Sequence, residues 1–263
     1  MEEVNGLAGK RVVVTGAAGV LGDWILRAFA DAGAELCLTD AREEPLRARF
    51  AAAGLGGSSF IHAADLRDAA AVDGLVAAIG ERWGAADVLV NNAGLYPSGF
   101  LLDIDAAEWD RIFDVNLRAP FLLSRGIARQ MIGAGVRGCI LNISSGAARK
   151  MRRTVVPYCV SKTALDRLTK GFALELAEYG IRVNALEPGF APGSESSPLT
   201  EAHVAATEAG IPLGRGVSAE DIRQALLFLC SDAAAFITGT SLAVDGGNAI
   251  GSLAVHQAKQ RAL

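Results

Sequence analysis

Short β-branched runs alternate with alanine-rich, helix-length segments along nearly the whole chain, and this alternation predicts a doubly wound, seven-stranded parallel α/β sheet with helices on both faces. Two further observations support it. Several strand candidates are apolar throughout, as strands covered on both sides should be. The stretches between them are long enough for right-handed crossover helices. In order, strands are expected at Arg11–Thr15, Glu35–Thr39, 59–63, 87–90, 138–143, 181–186 and Ser241–Val244. The first runs straight into a glycine-rich turn and an amphipathic helix. The second ends at an acidic residue, Asp40, and the fifth at Ser144 and Ser145. Residues 157–179 read as one long helix. No Pro/Ser-rich linker interrupts the alternation, so residues 1–263 are expected to form a single domain with a core at about 7–247. The loop 190–198, rich in Pro, Gly and Ser, is of the kind that covers a ligand. Residues 251–263 have no strand left to feed and are expected to be a tail or a subunit contact.

Composition excludes several classes. Hydrophobic residues make up 51% and charged residues 21%, an ordinary globular balance. The net charge of −4, with basic residues scattered, argues against a nucleic-acid surface. Cys37, Cys139, Cys159 and Cys230 form no CxxC pair and read as small core residues in a reducing compartment. His62, His203 and His256 are equally dispersed, so no metal site is expected. The acidic start, Met1-Glu2-Glu3-Val4, leads into no apolar h-region, and no run of about 18 apolar residues offers a membrane span. A cytoplasmic location is expected. The sequon at Asn142 lies in an apolar strand and reads as coincidental.

The turn Thr15-Gly16-Ala17-Ala18-Gly19-Val20-Leu21-Gly22 sits in the first βα unit. Glycine there lets backbone approach a pyrophosphate, and the helix start supplies free N–H groups at the positive end of its dipole. Taken alone, such a turn is also just a tight βα connection. Asp40 lies 24 residues after Gly16. A carboxylate at the end of the second strand can accept from both adenosine ribose hydroxyls and repels a 2′-phosphate, which favours NAD over NADP. Arg42 follows closely and could meet a phosphate, so NADP stays open. Asp40 as a simple cap on the next helix is the alternative.

Tyr158 and Lys162 stand four apart in the long helix and therefore share one face. A free phenol titrates near ~10, too high for a base at neutral pH. A positive charge ~4 Å away at an effective dielectric of ~20 is worth about 4 kcal/mol, or roughly three pKa units. A lysine at this spacing is thus expected to bring the phenol toward neutrality, ready to take or return an alcohol proton. Ser145, thirteen residues before Tyr158, could hold the substrate oxygen, with Ser144 its rival. Asn116 is a polar residue in a helix-like segment, otherwise explained by a helix-interior hydrogen bond.

With Asn91-Asn92-Ala93-Gly94, Asn142-Ile143-Ser144-Ser145, Pro188-Gly189, Ile237-Thr238-Gly239 and Val244-Asp245-Gly246-Gly247, these residues resemble the short-chain dehydrogenase/reductase family over roughly residues 7–247. The resemblance implies a Rossmann-type domain that exchanges hydride between NAD and a secondary alcohol or ketone. It implies Ser145, Tyr158 and Lys162 as the catalytic set, with Asn116 completing a water-mediated proton relay. Gly16, Gly19, Val20, Leu21 and Gly22 would surround the pyrophosphate, and Asp65 and Leu66 the adenine. Asn92, Ala93 and Gly94 would wall the adenosine ribose. Lys162 would bind the nicotinamide ribose, and Pro188 and Gly189 would complete the cofactor contacts. A homotetramer or homodimer without a metal is implied.

Three features depart from the pattern. The Thr-Gly-x-x-Gly-x-x-Gly spacing is a form of longer relatives and puts Val20 where the short branch has glycine. Gly193 stands where a threonine usually serves the nicotinamide, leaving Ser194 as a substitute or the loop to close differently. The stretch between Ser145 and Tyr158 carries Arg149, Lys150, Arg152 and Arg153. This cluster is either a solvated or intersubunit basic loop or a reader of an anionic substrate, with Arg152 foremost. Tyr96, in the 95–100 segment, is a second substrate-facing candidate, and pocket specificity is expected in 95–100, 147–156 and 190–203. An NADPH-dependent 3-oxoacyl-thioester reductase is the alternative enzyme, against which Asp40 speaks. A non-catalytic cofactor-binding protein is the remaining reading, disfavoured by the complete catalytic set.

Overall fold

A computed structural model describes residues 6–192, 199–251 and 253 of the chain. Gly193, Ser194, most of the 190–198 loop and nearly all of the 251–263 segment lie outside the described residues.

The elements follow the expected alternation. They are β1 (Arg11–Thr15), α1 (Val20–Asp31), β2 (Glu35–Thr39), α2 (Glu43–Ala52), β3 (Phe60–Ile61), α3 (Ala69–Trp83) and β4 (Val88–Asn91). Then come α4 (Ala106–Phe113), α5 (Ala119–Gly133), β5 (Cys139–Ile143), α6 (Val156–Leu176), β6 (Arg182–Pro188), α7 (Glu201–Glu208), α8 (Ala219–Cys230) and β7 (Ser241–Val244). All seven strands join one parallel sheet in the order β3-β2-β1-β4-β5-β6-β7. Two expectations are corrected at their edges. Strand β3 keeps only two residues, because it pairs with β2 alone at the sheet margin. The long helix ends at Leu176, and its last turn tightens at Ala177–Tyr179 before Gly180 at φ 70° reverses the chain.

Alternation within each strand divides the core in two. Val12, Val14, Leu36, Leu38, Val88, Val90 and Leu141 pack with α1, α2 and α8 through Ile25, Leu26, Phe29, Leu46, Ile222 and Leu226. Val13, Cys37, Leu89, Ile140 and Val183 face α3, α5 and α6 through Leu75, Ile79, Leu123, Ile127 and Ala173. Two-sided cover is why apolar residues occupy both faces of these strands, with polar ones chiefly at the strand ends and in the ladder below. All four cysteines are free and buried. Asn142 is 1% exposed and hydrogen-bonded within the core, so the sequon at that position is inaccessible. No helix among the described residues is long and apolar enough to cross a membrane.

The order of the sheet reverses between β1 and β4, and a crevice opens at their C-terminal ends, as at any such switch point. Beneath it a buried polar ladder joins strands to helices. Asn91 donates to Asn142 Oδ1 (2.8 Å) and Ser124 Oγ (3.1 Å), and Asn142 donates to Thr169 Oγ1 (2.8 Å). These bonds tie β4 and β5 to α5 and α6 and hold the floor of the crevice in one register.

Candidate active site

The crevice is a cleft of about 790 Å³. Gly16, Gly19, Val20, Leu21, Gly22, Asp40, Asp65, Leu66, Asn92, Ala93 and Gly94 wall it at one end. Ser145, Tyr158, Lys162, Pro188, Gly189 and Tyr96 wall it at the other. Candidate residues separated by up to 173 positions in the chain, from Gly16 to Gly189, are thus brought to one cavity.

The glycine turn is shaped by close backbone packing. Gly16 has φ 65°, and a Cβ there would stand 2.7 Å from Ala93 Cα. A Cβ on Gly22 would fall 2.1 Å from Gly16 O, so α1 can cross the turn only with glycine at that position. Gly19 differs, since a Cβ there would meet only Gly16 O at 3.5 Å. It is the N-cap of α1 and makes no side-chain cap bond, leaving the first N–H groups of the helix without a side-chain acceptor. Val20 is the first helical residue, so the atypical spacing places a side chain at the cleft wall without breaking the turn. Thr15 is a contributor that its place in an apolar strand concealed. Its hydroxyl accepts from Asn92 N and Ala93 N, both at 2.9 Å, and locks the Asn92–Gly94 wall to β1.

Asp40 does not cap α2, whose N-cap is Arg42. One carboxylate oxygen accepts from Ala18 N (3.2 Å), and the other from Arg42 N (3.0 Å) and Nε (3.2 Å). The acid is thereby fastened to the glycine turn, and Arg42 folds back on it. Asp65 is held in the same way by Arg67, which keeps its carboxyl below the usual range.

At the far end, α6 presents Tyr158 and Lys162 to the cleft. Pro157 in its first turn suits a helix start, where no N–H is needed. Lys162 is 4% exposed, donates to Ile143 O at 2.7 Å, and sits 5.7 Å from the Tyr158 ring centroid. Burial pulls its ammonium down to about 8, against the opposing charge of Asp166. The phenol differs from the expectation of a lysine-lowered value. Burial pushes Tyr158 up to about 12, with the Ser145 hydroxyl and the Arg152 charge opposing and Tyr96 reinforcing. The physical reason is that Lys162 spends a hydrogen bond on Ile143 and lies beside the ring, while the phenol is desolvated under Tyr96, whose ring crosses it edge-on at 4.6 Å.

The two serines separate. Ser144 is buried with its hydroxyl directed at Lys162 O (3.5 Å), whereas Ser145 stands at the cleft wall beside Tyr158, its Oγ accepting from Ala147 N (3.1 Å). Asn116 lies in a π-helical turn, Asp114–Arg118, between α4 and α5. Its bonds do not stay within its helix. Oδ1 accepts from Leu95 N (2.8 Å), and Nδ2 donates to Leu95 O (3.0 Å) and Ser161 Oγ (3.0 Å). It clamps the Gly94–Tyr96 segment to α6, and a Cβ on Gly94 would approach both Asn116 Oδ1 (3.5 Å) and Lys162 Nζ (3.6 Å).

The basic stretch is mostly engaged internally. Arg149 pairs with buried Glu187 and donates to Ser241 O (3.2 Å). Lys150 donates to Asn248 O (2.6 Å), and the Arg153 guanidinium lies 5.1 Å from the Phe100 ring centroid. Glu187 was hidden in sequence because it occupies an apolar strand. Burial raises its pKa, opposed by Arg149, and one oxygen each of Glu187 and Asp166 is buried without a partner. Among the described residues no group of three or more His, Cys, Asp or Glu is placed to hold a metal.

A doubly wound parallel sheet with a tyrosine–lysine pair and a capless helix start in one switch-point cleft has the architecture of a dinucleotide-fold oxidoreductase. The chain belongs to the short-chain dehydrogenase/reductase family, as a family profile described as enoyl-(acyl carrier protein) reductase matches residues 16–249. It is 33% identical over 254 residues to a galactitol 2-dehydrogenase of Agrobacterium fabrum, covering 92% of this chain and 98% of that protein. A gluconate 5-dehydrogenase from Burkholderia cenocepacia, solved with NADP and tartrate, superposes with a TM-score of 0.85 at 32% identity, over 93% of this chain and 96% of that one. A 3-ketoacyl-(acyl-carrier-protein) reductase from Brucella melitensis, solved with NADH, gives 0.84 at 32% identity over 93% and 100%. Family membership makes the chain an oxidoreductase of the class that acts on CH–OH groups with a nicotinamide cofactor.

Proposed function

We propose that this chain is an NAD-dependent dehydrogenase that exchanges hydride between nicotinamide and the carbinol carbon of a secondary alcohol, or the matching ketone. The observation that carries this is the single cleft running from Asp40 and the glycine turn to Tyr158 and Lys162. The residues present fit a dinucleotide. The capless start of α1 offers free N–H groups to a pyrophosphate, and Gly19 leaves room beside them. Asp40, anchored by Ala18 and Arg42, retains lone pairs for ribose hydroxyls and places negative charge where a 2′-phosphate would sit.

When bound, the nicotinamide supplies the hydride acceptor or donor. Ser145 orients the substrate oxygen, and Tyr158 removes the hydroxyl proton during oxidation or returns it during reduction. Lys162 holds a positive charge beside the phenol and stabilises its anion, aided by the N-terminal end of α6. Asn116 is a positioning residue whose remaining Oδ1 lone pair can hold a relay water. The apolar face formed by Phe113, Leu117, Phe121, Ala164 and Leu168 suits the expected dimer or tetramer.

A second reading, an NADPH-dependent 3-oxoacyl-thioester reductase, draws on the likeness to the Brucella protein. Titrating NADH and NADPH against the protein by nicotinamide fluorescence separates the two. Repulsion by Asp40 predicts NADH binding tighter by on the order of 100-fold. NADPH binding as tightly as NADH, with turnover of a 3-oxoacyl thioester, would favour the reductase.

A further inference from the structure

The end of the cleft that holds Tyr158 is faced by the segment after β4. Leu95, Tyr96 and Pro97 line it there, with Ala191 from the loop after β6. Tyr96 is 47% exposed, and its ring meets the Tyr158 ring edge-on with centroids 4.6 Å apart. A substrate whose hydroxyl meets Tyr158 therefore lays a carbon beside its carbinol against this ring.

Polar groups at this end are largely engaged within the chain. Asn116 takes both backbone groups of Leu95, its Oδ1 accepting from Leu95 N (2.8 Å) and its Nδ2 donating to Leu95 O (3.0 Å). Pro97 has no N–H to give. Lys162 donates to Ile143 O (2.7 Å), and the Ser144 hydroxyl is directed at Lys162 O. Of the basic stretch, Arg149, Lys150 and Arg153 are held by Glu187, Asn248 and the Phe100 ring, and Arg152 is not part of the cleft wall. The arginines that do line the cleft, Arg42, Arg67 and Arg111, are paired with Asp40, Asp65 and Glu108. Among the side chains of the described residues at this end, that leaves the hydroxyls of Ser145, Tyr158 and Tyr96. The first two are needed by the reacting oxygen.

The wall is also fixed in place. Thr154 has φ 68°, a strained conformation for a β-branched residue. Its carbonyl accepts from Gly99 N (2.7 Å), and the Arg153 guanidinium lies over the Phe100 ring. Tyr96 is thus held between anchors at Leu95 on one side and at Gly99 and Phe100 on the other.

We propose that Tyr96 is a specificity-determining residue whose ring packs against the substrate, making the substrates apolar secondary alcohols, alicyclic ones among them, and not polyols. The hydroxyls of a polyol laid on Leu95, Tyr96, Pro97 and Ala191 would lose water without gaining partners, whereas methylenes gain by leaving water. This rests on the dehydrogenase reading above and names its substrate class.

Cyclohexanol and inositol test it, because they share a six-carbon ring and differ by five hydroxyls. NAD-linked kcat/KM is measured on both, and each is titrated against the protein–NADH complex by the fluorescence of bound NADH. The wild type is expected to favour cyclohexanol by about tenfold or more. Tyr96→Ser should lower that ratio by about tenfold. Tyr96→Phe, which keeps the ring, should preserve it. Any effect of Tyr96 on the phenol cancels in the ratio, since both substrates share Tyr158. Leu102→Ser, which alters an apolar residue of the same segment that is 98% exposed and outside the cleft wall, should leave the ratio unchanged. Inositol used as well as cyclohexanol, or a ratio indifferent to Tyr96→Ser, overturns the proposal while the dehydrogenase reading stands. If neither compound is turned over, the titration decides. Cyclohexanol binding weakened about tenfold by Tyr96→Ser sustains the apolar wall, and binding that is absent or indifferent to the change overturns it. Failure of NADH itself to bind overturns the dehydrogenase reading and this inference with it.

Discussion

Tyr158 and Lys162 have each been displaced by burial in the direction that disfavours charge, to about 12 and about 8. In the proposed mechanism, only the state with a charged lysine and an ionised phenol takes an alcohol proton. It carries one proton fewer than the resting pair, so the two groups titrate as a unit. Below pH 8 the population of that state rises tenfold per pH unit. Above it the pair has already lost its proton, and the population levels off. Oxidation is therefore expected to climb with a slope near +1 in log kcat/KM and to plateau above about pH 8. Reduction, which needs both protons, should be flat below about pH 8 and fall above it. Lys162→Met should abolish the plateau and lower oxidation at pH 8 by about 10² or more. A pH-independent rate of chemistry would contradict the coupling. The tyrosine–lysine spacing was legible in sequence. The burial that governs both groups was not, because it depends on Tyr96 and Ile143, which are remote in the chain.

Among the elements, the glycine turn and strand β6 make opposite demands. A Cβ on Gly22 would overlap Gly16 O, so Gly22→Ala should push α1 away from the turn and cost about 1–3 kcal/mol of stability, with NADH affinity falling alongside. Gly19→Ala, which meets nothing closer than 3.5 Å, should fold normally, and denaturant unfolding distinguishes the two. At β6, Glu187 is 1% exposed and relies on Arg149 from the loop after β5. Arg149→Ala would leave a buried carboxyl without its counter-charge and should cost about 1–3 kcal/mol, the half-exposed guanidinium being partly screened by solvent. Glu187 escaped the sequence reading because a lone acid in an apolar strand has no periodic signature. Its partner belongs to a basic run that reads from sequence as solvated. Thr15 escaped for the same reason, as a strand-end threonine whose two acceptor contacts come from residues more than 75 positions away.

On the scale of the whole molecule, the order of the sheet does the assembling. Seven strands were legible from alternation because two-sided burial writes continuous apolar runs. Strand β3, paired on one side only, was the least faithfully bounded. The switch between β1 and β4 places the glycine turn and Asp40 on one side of a crevice and the fifth and sixth strands on the other. The residues proposed for cofactor binding and for proton transfer thereby share one cleft although they lie far apart in the chain. This arrangement separates binding from chemistry, since Tyr158 can lose its hydroxyl without disturbing the dinucleotide end. Tyr158→Phe is the most direct test, with NADH affinity and NAD-linked alcohol oxidation measured on the same preparation. NADH should bind as in the wild type while kcat falls by about 10²–10⁴. Oxidation persisting at the wild-type rate with NADH still bound would show that Tyr158 is not the proton-transfer group and that the cleft works by other residues.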